Sequence, residues 1–356
     1  MWWEYVLPAD AEGVTHGQAT LARASGTTCG WITRIQPSTP ADSMPVMSSM
    51  PGPNAAVRAL HAAVSTPTAV LSSLVRRATG GELDQVERIV DGYENEVYRV
   101  RTTEQHDVMV RIARFEGSPA KSEGESLAIE KARAVGVPAP EVLLLDTLRI
   151  DDGSFPVMVQ RTVPGLPLGA VYDTLATQQR QQVLGEIGDL IARLSHLPMD
   201  ADWVPGTSSG IVTRQGDRDR VVAGGFPPGE FDRMIGLLQE YVGQLHREHS
   251  VLCHGDLGPK HVYIDNDRVS GVIDFGDWQA GSPLHDIAVL RVRGPYLDLE
   301  PVLQGYAMTS DSPDRRQLDL HTLYTAMPSL AIGVAENDDA GVQRVSTLLR
   351  SLLVAL

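Results

Sequence analysis

The chain has 356 residues, enough for two domains or one large two-lobed one. Its 42% hydrophobic and 21% charged content is that of a soluble globular protein. A net charge of -15 argues against nucleic acid or an anionic membrane as the main partner, because phosphate surfaces demand Lys and Arg.

That acidity suits a cationic small substrate, although many acidic enzymes have no such partner. Cys29 and Cys253 lie far apart and make neither a disulfide framework nor a CxxC pair, which fits a reducing, cytoplasmic setting. The opening "MWWEYVLPADAEG" lacks the basic and apolar regions of a signal peptide. No run reaches the roughly 18 apolar residues of a membrane span; "LYTAMPSLAIGVA" comes nearest and is interrupted by Pro328.

Residues 1–66 include "QPSTPADSMPVMSSMPGPN", rich in Ser, Pro and Met and without periodicity, so they read as a poorly ordered extension. Met44, Met47 and Met50 are each alternative starts. From Thr68, "TAVLSSLVRRATGG" has helical spacing at Val70, Leu71, Leu74 and Val75 and a Gly-Gly stop. "QVERIVDG", "NEVYRVRT" and "HDVMVRIAR" read as strands, the first two joined by a glycine-bearing turn at 92–95. "SEGESLAIEKARAVG" reads as an amphipathic helix ended by Gly136, Pro138 and Pro140. "EVLLLDT" and "FPVMVQRTV" complete a five-stranded antiparallel lobe over 67–163. Beyond "PGLPLG" the pattern turns helical over 164–356. "TQQRQQVLGEIGDLIARLSHLP" carries a Thr cap and a stripe at Val183, Ile187, Leu190, Ile191 and Leu194. "GEFDRMIGLLQEYVGQLHREH" and the region from Arg315 read as further helices, and no internal repeat is visible. The fold class expected is α+β and two-lobed: a small antiparallel β lobe and a larger, mostly helical one.

The chemistry concentrates in "VLCHGDLGPKHVYIDNDRVSGVIDFGD". Phosphoryl transfer needs a cover for the phosphates, a cation beside them, a metal held by hard oxygens and a carboxylate for the acceptor. Asp256, on a loop shaped by His254 and Gly255, is the candidate base, although an Asp there can equally cap a turn. Asp274 ends a short apolar run, where a carboxylate is delivered to Mg²⁺, and Phe275 and Gly276 let the chain turn. The pairing of HxD with DFG across a strand–turn–strand is far more specific than either alone.

Arg111, mid-strand, is the candidate phosphate cation, with Glu125 in the next helix to orient it and Glu123 as a competitor. Gly92 to Asn95 is the candidate nucleotide turn, though an ordinary hairpin has the same composition. Met158 and Gln160 sit where the lobes join and where backbone groups could meet a purine edge. On the acceptor side Asp277 is favoured by its place beside the metal loop, with Trp278 and Glu230. Asp200, Asp202, Asp232, Asp298 and Glu300 are further acids for a polycation.

From Thr68 onward the chain resembles the aminoglycoside phosphotransferase family, antibiotic and small-molecule kinases with a protein-kinase-like fold. The resemblance rests on "DGYENEVYRV", "VMVRIAR", "CHGDLGPKHVYID" and "GVIDFGDWQAGSPLHDIAVL". It implies Asp256 as base, Asp274 and His261 as metal ligands, Arg111 at the phosphates and Asp286 as a structural support of the loop. Many members carry Asn where His261 stands. Macrolide and 2''-aminoglycoside phosphotransferases are similar to this chain in carrying His, and a neutral imidazole retains one lone pair for a metal. The resemblance implies Mg²⁺, ATP or GTP as donor, a small and cationic acceptor, and a monomer or weak dimer. A macrolide, choline, homoserine or other metabolite hydroxyl is the alternative acceptor, and a nucleotide-binding pseudokinase the alternative class.

Overall fold

Alternation along the strands builds the first lobe. The computed structural model describes residues 55–356 except 93, 116, 151, 152, 200–215, 246–249, 311 and 313. Strands β1 (Leu83–Ile89), β2 (Glu96–Thr102), β3 (Asp107–Ile112), β4 (Val142–Ile150) and β5 (Gly153–Arg161) form one antiparallel sheet in the order β1-β2-β3-β5-β4. Tyr98, Val100, Val108, Val110, Val157 and Val159 share one face. Helix α2 (Thr68–Thr79) covers it with Leu71, Leu74 and Val75, and ends at Gly80 in the left-handed region. Because successive side chains point to opposite faces, Arg111 and its cross-strand partner Met158 belong to the other face. There Met158 joins Ala128 and Ile129 of helix α3 (Pro119–Ala134) in the next core cluster.

Helix α1 (Ala55–Ala62) is a departure from the sequence reading, which left these residues in the extension. Its stretch is short and flanked by Pro and Ser, so local propensity said little; the helix is held by the sheet edge it meets. Residues 1–54 lie outside the described residues.

After β6 (Leu166–Pro167) and the short turn α4 (Leu168–Val171), the second lobe is built on α5 (Thr177–Leu194), α6 (Arg218–Ala223), α7 (Pro228–Leu245), α8 (His285–Arg293), α9 (Leu299–Gly305), α10 (Asp314–Glu336) and α11 (Asp339–Ala355). The expected stripe of α5 is buried, with Val183, Leu184, Ile187, Leu190, Ile191 and Leu194 inside. Its expected Thr cap is not there: Thr177 is already helical, and Gln179 instead accepts from the Ala176 N–H at 2.7 Å. Pro328 sits inside α10 without ending it. Among the described residues no helix is long and apolar enough to cross a membrane.

The two lobes meet at the acidic stretch. The Val272 N–H donates to Pro138 at 2.9 Å, and Arg193 of α5 donates to the Gly136 carbonyl at 3.1 Å. Gly124 of α3 lies so close to Trp278 that an added Cβ would approach its ring to 2.9 Å.

Candidate active site

Strand β7 (Val251–Cys253) is wholly buried and leads into His254-Gly255-Asp256. Gly255 has φ +89°, and a Cβ there would fall 1.8 Å from the Asp277 carbonyl oxygen, so only glycine fits the crossing of the two acidic segments. Asp286, at the start of α8, accepts from the His254 and Gly255 N–H groups at 2.8 and 3.0 Å. This buried carboxylate caps the loop from behind. His254 donates through Nε2 to the Ile273 carbonyl at 2.9 Å, and its ring centroid stands 4.5 Å from that of Phe275. The HxD and DFG segments are therefore joined through His254 and Phe275, with Asp286 holding the HxD loop from behind.

Between them runs a hairpin, β8 (Val262–Asp265) and β9 (Arg268–Val272), whose turn residues Asn266 and Asp267 both have positive φ. That is the turn whose twist matches paired strands. The Ile273 N–H donates to the His261 carbonyl at 2.9 Å and closes the ladder, so His261 and Asp274 leave it side by side. His261 Nδ1–H donates to the Asp256 carbonyl at 2.7 Å, which fixes the tautomer with the Nε2 lone pair outward. Nε2 stands 3.4 Å from Asp274 Oδ2. Burial holds the imidazole below its ordinary pKa, against the pull of Asp274, so it is neutral at pH 7. Two acceptors thus face each other with no proton between them, a donor set suited to a cation. Cis ligands about 2.1 Å from Mg²⁺ would stand roughly 3 Å apart. Among the described residues no cluster of three or more His, Cys, Asp or Glu could hold a metal, so this pair fits an ion that takes its remaining ligands from phosphate and water.

Asp274 itself sits at φ +67°, an uncommon conformation for a non-glycine residue. Its other oxygen, Oδ1, accepts from Arg111 at 3.1 Å. Arg111 also pairs with Glu125 of α3, which settles the competition with Glu123 within the structure. Arg111 and His261 hold the Asp274 carboxyl well below the usual range. Burial favours the neutral form of Glu125 and raises it despite Arg111. Arg111 is held well above its ordinary value by the two carboxylates.

Asp256 is 6% exposed. Its Oδ1 accepts from Arg293 at 2.7 Å, and Lys260 Nζ stands 3.9 Å from Oδ2. Burial pushes the carboxyl up, and Arg293, His261 and Lys260 bring it below its ordinary value. Arg293 was not foreseen from the sequence. It lies 37 positions away at the end of α8 and has no motif of its own, although Lys260, four residues after Asp256, was in plain view. An added Cβ at Gly258 would stand 3.0 Å from Arg293 Cβ, so the arginine packs over the loop where that glycine leaves room.

The residues expected on the nucleotide side fall in two groups. Met158 and Gln160 are buried beside each other, Gln160 Nε2 lying 2.9 Å from Met158 Sδ. Gly92, with φ +75°, and Asn95 lie in the β1–β2 turn. Within it Glu94 accepts from Lys121 of α3 at 2.6 Å and acts electrostatically on Arg111 and Glu125, so the turn approaches that pair. Lys121 is a second cation missed from sequence. Asp277 raises the pKa of Lys121, which sets Asp277 toward α3, and Trp278 packs on that same helix.

Glu230 stands apart. It is exposed on the first turn of α7, which packs on α6 and α10. Glu300 pairs with Arg315, and Asp298 caps α9. Asp200 and Asp202 lie outside the described residues.

A buried carboxylate, a facing imidazole–carboxylate pair and an ion-paired arginine, set where a β lobe meets a helical one, define a kinase-like phosphotransferase site. The family model described as the phosphotransferase enzyme family matches residues 85–321, well over half of the chain. The chain belongs to this family and is an enzyme, a phosphotransferase. Solved structures similar to it include wild-type aminoglycoside 2'-phosphotransferase-IIIa in its GDP complex, at 20% identity and TM-score 0.59 over 81% of this chain and 98% of that one. A thermostable mutant of aminoglycoside phosphotransferase APH(4)-Ia, in a ternary complex with ADP and hygromycin B, is similar at 16% identity and TM-score 0.56, over 79% and 98%. Macrolide 2'-phosphotransferase MphH from Brachybacterium faecium is similar at 20% identity and TM-score 0.50, over 79% and 97%. At these identities the likeness is one of fold. No curated protein matches the chain by sequence.

Proposed function

We propose that the enzyme transfers the γ-phosphate of ATP or GTP to a hydroxyl of a small polar molecule, an aminoglycoside-type antibiotic being the leading acceptor. The observation that carries this reading is the convergence of Asp256 with the facing pair His261 and Asp274, tied through Arg111 to Glu125. Residues 67–163 then form the nucleotide-binding lobe, and 164–356 carry the catalytic loop and the acceptor site.

In this mechanism Arg293 holds Asp256 by Oδ1 and leaves Oδ2 to accept the proton of the attacking hydroxyl. A carboxylate of lowered basicity suffices, because a loose phosphoryl-transfer transition state asks the protein mainly for position and charge. Arg111, oriented by Glu125, takes the phosphate oxygens, and the turn around Gly92 and Asn95 covers them through backbone N–H groups. Met158 and Gln160 border the base. Asp274 and His261 would hold Mg²⁺, which when bound would offset the charge developing on the phosphate oxygens.

The second reading keeps the chemistry and changes the acceptor to a macrolide or a metabolite hydroxyl such as choline or homoserine. Two observations favour keeping it: Lys260 and Arg293 stand beside Asp256, and Glu300 is paired with Arg315. A growth assay decides. Expression in a sensitive bacterium followed by exposure to kanamycin-type and macrolide antibiotics should protect against the former. Protection against macrolides alone, or against neither, would move the acceptor to the second reading. Purified enzyme compared with ATP and GTP settles the donor.

A further inference from the structure

The turn read as the phosphate cover is held in part by residues far from it in sequence. It has one glycine at positive φ, Gly92, whose N–H is taken by the neighbouring Asp91 side chain. What holds it comes from elsewhere in the chain. His61, at the end of α1 and only 1% exposed, donates through Nε2 to the Gly92 carbonyl at 3.0 Å. The same ring meets Phe115, in the β3–α3 loop, edge-on at 5.1 Å, and the Phe115 N–H donates to the Glu94 carbonyl. Arg88, near the end of β1, donates to the His61 carbonyl at 2.8 Å and locks the strap from beneath.

Five residues on, Thr66 anchors the other end. Its N–H and hydroxyl donate to the two oxygens of Glu96, fully buried at the start of β2, at 2.9 and 2.7 Å. Residues 61–66 therefore span the hairpin from its turn to the first residue of the returning strand. His61 Nδ1 is buried with no hydrogen-bond partner, so the ring is kept at a cost that its single bond to the turn must outweigh. Packing alone would be better served by an apolar side chain. Both anchoring residues, His61 and Thr66, lie before residue 85, where the family match begins, and the groups they hold lie within it.

We infer that residues 55–66 are a built-in clamp on the nucleotide-covering turn, and that His61 is its positioning residue. This rests on the reading of that turn as the phosphate cover. The clamp fixes the position of the turn in advance, so its contribution is to nucleotide affinity rather than to the chemical step.

The test is titration of the full chain with fluorescent ATP and GTP analogues in Mg²⁺, beside steady-state kinetics and thermal melts. His61→Ala should weaken nucleotide binding and raise the nucleotide KM about five- to tenfold, the loss of one hydrogen bond, with kcat nearly unchanged. His61→Gln, whose amide can still donate to Gly92, should recover most of that loss. Thr66→Val, which keeps volume at the far anchor, should weaken binding in the same sense and serves if His61→Ala melts too low to assay. Unchanged nucleotide affinity in a folded His61→Ala protein would overturn the clamp, as would a Gln variant no better than Ala. If the wild type itself binds neither nucleotide, the reading of the turn fails with it.

Discussion

The loop proposed as catalytic and the turn proposed to cover the nucleotide are held in opposite ways. The loop at 254–256 is fixed by groups within about forty residues: Asp286 beneath, Phe275 and His254 between, Arg293 on the carboxylate. Nearly all are buried, and several carry two bonds each. The turn at 92–95 takes contacts from α1, α3 and the Phe115 loop. A loop fixed from within its own lobe can sit against a segment that holds a left-handed residue, Asp274, whereas a turn held from outside can yield to a ligand. Damage to the first should cost turnover; damage to the second should cost affinity.

The largest effect expected from this contrast is at Asp256. Asp256→Asn keeps the shape and removes the proton acceptor, so kcat should fall by roughly 10²–10⁴ while nucleotide binding stays within a few-fold. Comparable losses in both would mean that the loop also shapes the nucleotide site, and the contrast would go. Gly255→Ala should come next. It places a methyl into the Asp277 carbonyl at a backbone position with φ +89°, so loss of activity should come with a lower melting temperature. A stable, active Gly255→Ala enzyme would show the crossing of the two segments to be looser than described.

His261 separates ligand from scaffold within the rigid loop. His261→Asn should keep substantial activity, since its side-chain oxygen can still face a cation. His261→Ala should raise the Mg²⁺ concentration needed for half-maximal rate, by an amount on the order of the tenfold typical of lost metal-site contacts. Equal activity in all three proteins would remove His261 from the metal.

The same contrast explains what the sequence disclosed. Asp256, His261 and Asp274 share one continuous stretch in which strand, loop and hairpin follow from local pattern, so their juxtaposition was legible before any coordinates. Arg111 and Glu125 were legible as an ion pair because a strand feeds directly into a helix. Arg293 and His61 were not. A lone arginine at the end of an apolar helix, and a histidine in a weak eight-residue helix, carry no spacing signal; only the chain's return in three dimensions gives them partners. Glu230 lies apart on the first turn of α7, and a charge alone does not say which face of the lobe it decorates.

The smallest effect concerns the anchor of the tethered region. Burial pushes Glu96 up, but hydrogen bonds from Tyr98 and Thr66 and the charge of Arg88 outweigh it, and its carboxyl lies below the ordinary 4.5. A folded-state value below the unfolded one means that this contribution to stability is present above the ordinary value and is lost as pH falls through the folded one. Melting curves of the wild type should therefore show a loss of stability on the acid side of pH 4.5 that is diminished in Glu96→Gln. At pH 7 the variant should be less stable by about 1–3 kcal/mol, because Arg88 and Arg114 lose their common partner. If the clamp acts through this anchor, Glu96→Gln should also weaken nucleotide binding while leaving kcat in place. A variant that lost kcat instead would tie the anchor to the catalytic loop, and the two regions would no longer be independent.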